Sequence, residues 1–278
     1  MIAFFNGNWI EKEKIAISPD DRGFLFGDGI YEVIRVYRGK LFRAKEHLAR
    51  LARSLREMRM DGVDVPVLGT VAEELLRRNN LNSDATVYFQ ITRGAAPRRH
   101  AFPDPGTPPT IYMTASPFTP PEKKWREGVK VILVPDTRWA RCDIKSTALA
   151  PNVLANQLAK ENGAEEAIFV RNGVITEGSH SSFAAVFHGQ LVTHPLTNHI
   201  LPSITRQVVL ELCAQLDIAV KEFPIFENEL KQADEVIILG TTTQVMPVIQ
   251  VDDWQVNDGK PGALTRRLQQ ALDEITGK

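Results

Sequence analysis

Residues 116 to 121 read Ser116-Pro117-Phe118-Thr119-Pro120-Pro121, and no other stretch limits the fold of this chain so strongly. Each proline fixes φ and removes a backbone donor, so neither a helix nor the middle of a sheet can run through the cluster. A chain of 278 residues is long enough for two cores. The cluster therefore predicts two domains, residues 1–117 and 118–278.

Both sides of this break mix strand and helix signals. Before it, Phe4 to Ile10 around Asn6-Gly7 and Val33 to Phe42 around Arg38-Gly39 read as hairpins. Leu48, Leu51, Leu55 and Met58 recur at helical spacing and predict an amphipathic helix between Phe42 and Met60. A second helix is expected over Thr70 to Asn79. Strands Thr86–Thr92 and Thr110–Thr114 follow, joined by a long loop rich in Pro, Arg and Gly. After the break come a buried strand over Val129–Val134, a helix over Pro151–Lys160, and a hairpin over Ala167–Glu177 that turns on Asn172-Gly173. A strand pair flanks His188-Gly189. A helix starts near Ser203 and buries Ile204, Val208, Leu212 and Leu216, and an apolar strand, Glu235–Leu239, runs into Gly240-Thr241-Thr242-Thr243. The fold class expected is mixed α/β.

Several classes of function are disfavoured. Lys and Arg number 33 against 34 Asp and Glu, so no overall field draws the chain to nucleic acid or a membrane surface. Cys142 and Cys213 have no CxxC spacing and imply neither a disulfide framework nor a cysteine metal site. A reducing, cytoplasmic setting is expected. The opening MIAFFNGNWIEKEK has no leader pattern, and no run approaches the roughly 18 to 20 apolar residues that span a bilayer. His188, His194 and His199 lack metal-ligand spacing, and His47 reads as a packing or surface residue on a helix. Ser179-His180-Ser181-Ser182 lacks the G-x-S-x-G frame of a nucleophile elbow.

Two short segments carry chemistry together. Asp143-Ile144-Lys145-Ser146 offers an amine, and Ile175-Thr176-Glu177-Gly178-Ser179 offers a carboxylate. A lysine amine can carry the aldehyde of pyridoxal phosphate (PLP), and a carboxylate can keep the pyridine nitrogen protonated, without which the ring accepts electrons poorly. Such a site also needs a phosphate cradle and a clamp for a substrate carboxylate. Pro202-Ser203-Ile204-Thr205 at a helix start presents free N–H groups, Gly240-Thr241-Thr242 ends an apolar strand with hydroxyl and amide donors, and Arg50 could add a full charge. Taken singly, these read as an N-cap, a strand end and surface charges; the constellation is what points to such a site.

Six segments taken in order carry a resemblance: Phe26-Gly27-Asp28-Gly29-Ile30-Tyr31-Glu32-Val33, His47-Leu48-Ala49-Arg50-Leu51, residues Arg93 to His100, Asp143-Ile144-Lys145-Ser146, Thr176-Glu177-Gly178-Ser179, and Ile200 to Arg206. The chain resembles the fold type IV PLP-dependent aminotransferases, most closely the bacterial D-amino acid aminotransferases. That resemblance implies a small α+β domain carrying Tyr31, Arg50 and the Arg98/His100 loop, and a large α/β pseudo-barrel domain carrying Lys145 and Glu177. It implies that Lys145 bonds the cofactor and shuttles protons, that Glu177 partners the ring nitrogen, and that Arg50, Ile204, Thr205, Thr241 and Thr242 hold the phosphate. Tyr31 would face the substrate, and Arg98 with His100 would trap its carboxylate from a loop that reaches a neighbouring subunit. A homodimer acting on amino acids and 2-oxo acids follows, with a 4-amino-4-deoxychorismate lyase, a branched-chain aminotransferase and a non-catalytic PLP-binding dimer as alternatives. The chain departs from the family pattern at Ser182 and at Ala148, where family members commonly carry asparagine nearby; both lie close to the ring or phosphate.

Overall fold

Tight turns organise the first part of the chain. Asn6 and Gly7 adopt φ of 46° and 85°, and Arg38 and Gly39 adopt 49° and 76°, the left-handed pair that matches the twist of two-residue hairpins. In the computed structural model, which describes residues 1–277, these turns join β1 (Ile2–Phe5) to β2 (Asn8–Glu11) and β3 (Gly29–Tyr37) to β4 (Lys40–Leu41). A short helix α1 (Arg22–Phe26) precedes β3, and α2 (Ala44–Glu57), α3 (Val65–Arg78), β5 (Ala85–Thr92) and β6 (Thr110–Pro117) follow. The six strands form one sheet in the order β2-β1-β6-β5-β3-β4. Register puts Ile30, Ile34, Val87, Phe89, Ile91, Met113 and Ala115 on one face, where they pack with Leu51 and Leu55 of α2 and with Leu68, Ala72 and Leu75 of α3. Burying each such large aliphatic or aromatic side chain contributes about 1.5–3 kcal/mol.

Two differences from the sequence reading have local causes. The second helix begins at Val65 rather than Thr70, because Pro66 occupies the first turn, where a missing N–H costs nothing, and Asp64 accepts from Val67 N. Strand β6 runs on to Pro117, opposite Ala85, and β1 covers its other edge only at Tyr112 and Met113. Pro117 therefore sits where no ladder donor is required.

The second part of the chain comprises α4 (Glu122–Glu127), β7 (Val129–Pro135), α5 (Ala150–Glu161), β8 (Glu166–Arg171), β9 (Val174–Gly178), β10 (Ser182–Phe187), β11 (Gln190–Thr193), α6 (Ile204–Gln215), β12 (Val220–Glu222), β13 (Ile225–Phe226), β14 (Glu235–Gly240), β15 (Gln244–Val251), β16 (Trp254–Gln255) and α7 (Ala263–Thr276). Strands β10, β14, β15, β7, β8 and β9 pair in that order, and a single pair, Ser182 with Glu177, joins β9 back to β10. The sheet thus closes on itself as a small barrel. Val131, Ile168, Phe183, Ile238, Met246 and Val248 cluster together, while the alternate residues Ile132, Val134, Ala167 and Phe169 pack against Ala155 and Ala159 of α5. Helix α7, unforeseen from sequence, starts where Glu235 accepts from Leu264 N at 2.9 Å and Thr265 N at 2.8 Å. Among the described residues, no helix is long and apolar enough to cross a membrane.

The backbone divides into two units, Met1–Thr119 with Ile144–Leu149, and Pro120–Asp143 with the chain from Ala150 onward. The sequence reading puts Lys145 in the second domain; the structure puts it in the first unit. Ser146 bridges Ile30, Tyr31 N donates to Lys145 O at 2.9 Å, and Thr147 N donates to Gly29 O at 2.9 Å. Ile144 enters the helix-side core of the first unit. A segment from beyond the proline cluster therefore docks on the start of β3 through one bridge and two backbone bonds.

Candidate active site

Strand alternation sorts the first unit's candidates onto two faces of its sheet. Tyr31 faces away from the helices, and Lys145 Nζ lies 4.3 Å from the centre of its ring. Tyr88 and Tyr112 continue this face, with Tyr88 6.0 Å from Tyr31 and 6.4 Å from Tyr112. Burial, reinforced by the two neighbouring phenols, pushes the Tyr88 hydroxyl up to about 12, so it stays protonated and donates to Gln90 Oε1 at 2.6 Å.

Glu32, one residue along from Tyr31, points to the opposite, helix-covered face. Its Oε1 accepts from Arg50 Nε at 2.6 Å, its Oε2 from Arg50 Nη2 at 2.9 Å, and Oε2 also lies 2.9 Å from His47 Nδ1. Glu32 and His47 are almost wholly buried, and Arg50 is 7% exposed. Burial alone would raise the Glu32 carboxyl, but the charge and hydrogen bonds of Arg50 outweigh it and hold the group far below the usual carboxylate range. Burial lowers His47, and the positive charges of Arg50 and Lys145 lower it further against the pull of Glu32. Arg50 is thus fixed as a bidentate partner of a carboxylate that the sequence reading did not single out. A carboxylate among the apolar core positions Ile30, Ile34 and Val36 was the available signal, since it demands a cation on the facing helix.

Arg98 and His100 are both exposed, on the loop after β5. They share one neighbour, Phe26 at the end of α1: the Arg98 guanidinium lies 5.2 Å and the His100 ring 5.5 Å from its ring.

In the second unit the candidates gather at one end of the barrel. Glu177, Ser182 and Leu239 lie side by side on β9, β10 and β14, so Thr241 and Thr242 follow in the next turn. Glu177 Oε2 accepts from Leu201 N at 2.9 Å, which brings the start of α6 to the same end. Ser203 caps that helix by accepting from Arg206 N at 3.1 Å, leaving Ile204 and Thr205 in its first turn, where N–H groups and the helix dipole favour an anion. Glu177 Oε1 accepts from Arg138 Nη1 at 2.6 Å. Arg138 is itself held by Asp136, from Nε at 3.0 Å and Nη2 at 3.0 Å, and Asp136 also accepts from Arg171 Nε at 3.1 Å. Burial acts to lower Arg138, yet its hydrogen bonds to Asp136 and the charge of Glu177 carry it above the ordinary guanidinium value, so its charge is permanent. Sequence reasoning missed Arg138 and Asp136, whose meaning depends on where β7 ends relative to β9.

The turn after Glu177 rests on a second buried carboxylate. Glu166 accepts from His180 N at 2.7 Å, Ser181 N at 3.0 Å and Ser181 Oγ at 2.8 Å. Gly178 lies directly against it, and a Cβ there would collide with the Glu166 carboxylate and with Ser181 Oγ. That packing explains the glycine in Glu-Gly-Ser. Ser182, one of the departures noted above, is buried and pairs with Glu177; at the other, the Ala148 backbone crowds Gly27, whose φ of 66° ends α1.

Each unit by itself carries groups of the kind that PLP requires: in the first, the Lys145 amine beside Tyr31 and the ion-paired Arg50; in the second, an acceptor-only carboxylate held at both oxygens and a capped helix start with adjoining threonines.

Comparison with known proteins agrees with this chemistry. The model of the family Amino-transferase class IV matches residues 29–251. The D-alanine aminotransferase of Staphylococcus haemolyticus is 43% identical over 272 residues, covering 98% of this chain and 96% of that protein. The D-alanine aminotransferase of Bacillus licheniformis is 41% identical over 273 residues, with the same coverage. Among solved structures, a branched-chain amino acid aminotransferase from Escherichia coli superimposes with a TM-score of 0.92 at 27% identity, over 99% of this chain and 94% of that one. The branched-chain aminotransferase of the archaeon Thermoproteus uzoniensis, solved with norvaline, gives 0.88 at 26% identity, over 100% of this chain and 95% of that one. On the match over most of its length and on these relatives, the chain belongs to the class IV aminotransferases.

Proposed function

We propose that this protein uses PLP to exchange amino groups between D-amino acids, such as D-alanine or D-glutamate, and 2-oxo acids. The observation that carries the reading is the Lys145 amine against the Tyr31 ring, in a chain whose 41–43% identical relatives are named D-alanine aminotransferases. When bound, PLP supplies an aldehyde for amines and an electron sink conjugated to the substrate's α-carbon. The protein's part is binding, orientation and proton handling. In this reading Lys145 carries the cofactor at rest, and its freed Nζ takes the substrate's α-hydrogen as a proton and returns it on the cofactor side. Tyr31 lies against that amine with its ring face, and once Nζ holds the proton the contact is a cation–π one worth roughly 0.5–2 kcal/mol. Glu177, braced by Arg138 and Leu201 N, accepts the ring N–H. The phosphate falls to Arg50, Ile204, Thr205, Thr241 and Thr242, and the substrate carboxylate to Arg98 and His100. The side on which that carboxylate is held decides which enantiomer turns its α-hydrogen toward Lys145.

A homodimer in the cytoplasm completes the proposal; the two buried thiols, Cys142 and Cys213, suit a reducing compartment. Light scattering checks the assembly. Borohydride reduction followed by peptide mapping is expected to find the pyridoxyl group on Lys145, and a panel of D- and L-amino acids with pyruvate or 2-oxoglutarate is expected to favour the D-series. Label on another lysine overturns the site. A preference for L-leucine moves the activity to the branched-chain class named by the structural neighbours, and pyruvate release from aminodeoxychorismate alone moves it to the lyase.

A further inference from the structure

An exposed loop is a poor place from which to grip a carboxylate, because its freedom must be lost on binding. The loop bearing Arg98 and His100 is fixed from below by one side chain. Arg22 Nη1 donates to Arg99 O at 2.7 Å and Ala101 O at 3.2 Å, and Nη2 donates to His100 O at 3.4 Å. Three consecutive carbonyls are thereby tied to a residue only 4% exposed. The Arg22 Nε bonds Asp28 Oδ2 at 2.8 Å, and Asp28 also takes Arg93, Nε on Oδ2 at 2.8 Å and Nη2 on Oδ1 at 3.0 Å. Arg93 is anchored to the end of α2 through Met58 O at 2.7 Å and Arg59 O at 2.9 Å. Its guanidinium lies 3.8 Å from the ring of Phe102, the next residue of the loop. Residues 99 to 102 are thus held at four successive positions by two arginines that share one carboxylate.

We propose that Arg22 is a positioning residue for the substrate carboxylate: it presets the backbone of residues 99–101, so that Arg98 and His100 meet the substrate already ordered. The inference rests on the reading of Arg98 and His100 as the clamp. A guanidinium is required, since its planar fork serves Asp28 and the carbonyls at once, whereas an ammonium reaches only some of them. Losing the fork frees one or two residues of backbone, which corresponds to about a 10- to 100-fold weaker hold on the substrate.

Arg22→Lys, made in the PLP-loaded enzyme, tests this. The expected result is a KM for D-alanine raised about 10-fold or more with kcat within about twofold, unchanged PLP absorbance, and faster tryptic cleavage in the native state after Arg98 or Arg99. The Arg99 carbonyl that trypsin attacks is the one Arg22 holds. Joined to Arg98→Ala with His100→Ala, Arg22→Lys is expected to add almost nothing, because a clamp already lost cannot be misplaced. Wild-type KM and wild-type cleavage in Arg22→Lys overturn the proposal, as does a combined variant in which the loss from Arg22→Lys multiplies that of the clamp substitutions. If Arg98→Ala alone leaves KM unchanged while Arg22→Lys is still nicked faster, the clamp reading fails and the fixing of the loop stands. Phe102→Leu, at a position 49% exposed, serves if Arg22→Lys does not fold. It removes the stacking on Arg93 and the longer contact with Arg59, 5.2 Å from the same ring, and it is expected to show the same pattern at smaller size; wild-type behaviour in both assays counts against the proposal.

Discussion

Replacing Glu32 with Gln changes one atom's chemistry and no volume, yet it should cost the first unit about 3 kcal/mol. The carboxylate has four contacts: Arg50 Nη2, His47 Nδ1 and, at 3.3 Å, Val33 N on Oε2, and Arg50 Nε on Oε1. An amide in its place does least harm with its oxygen at the Oε2 position, which keeps Arg50 Nη2 and His47 served and turns an N–H toward Arg50 Nε. Two donors then face each other at a separation that is now 2.6 Å, and Arg50 keeps a buried charge without its carboxylate. Removing one member of a buried ion pair costs about 3–5 kcal/mol, and the contacts that survive on Oε2 argue for the lower end. For a protein of this size, about 3 kcal/mol corresponds to a Tm lower by roughly 6–12 °C. Urea and thermal unfolding at pH 8 isolate the effect, because a histidine lowered by burial is neutral there in both the folded and the unfolded state. A loss below about 1 kcal/mol would refute the reasoning, since it would mean that Arg50 finds an equivalent acceptor and that Glu32 is not what holds it.

Glu177→Gln should retain PLP but slow turnover by roughly 10- to 100-fold, the equivalent of one charge-assisted hydrogen bond of about 1.5–3 kcal/mol; single-turnover kinetics with D-alanine check it, and a wild-type rate places the ring-nitrogen partner elsewhere. Asp136 is opposed by burial, but its hydrogen bonds from Arg138 and Arg171 hold it below its ordinary value of 3.8. Its contribution is therefore complete above the unfolded value and is lost as pH falls through the folded one. The stability gap between wild type and Asp136→Asn should be widest above about pH 5 and should narrow below pH 4 in urea unfolding. A gap that is constant from pH 7 to pH 3 would show that the carboxylate charge is not what stabilises the site.

Local signals carried much of this architecture. The helix of Leu48, Leu51 and Leu55, the helix that begins after Ser203, and the hairpins at Asn6-Gly7, Arg38-Gly39, Asn172-Gly173 and His188-Gly189 all stand where spacing and turn chemistry put them. What spacing could not supply was long-range pairing. The return of residues 144–149 to the edge of β3 depends on backbone bonds to Gly29 and Tyr31, more than a hundred positions away, and nothing in Asp-Ile-Lys-Ser announces it. The same holds for Arg138, which reads as one surface charge among many until the barrel sets β7 beside β8 and β8 beside β9. Motifs single out candidate residues; the residues that pair with or support them in the structure, Glu32, Asp136, Arg138 and Glu166, were not legible, because a brace is defined by its partner.

The packing of Gly178 against Glu166 has a consequence for how this site can change over generations. A side chain at 178 needs the space that the Glu166 carboxylate fills, and shortening Glu166 strands the His180 and Ser181 amides that it serves. A first substitution at either position leaves a clash or orphaned donors, and neither is relieved until the other position also changes. The two residues, eleven intervening positions apart in sequence, therefore behave as one heritable unit. Variants of the turn beside Glu177 are reached in paired steps or by insertions that rebuild it, and single-step drift is confined to the exposed side chain of His180.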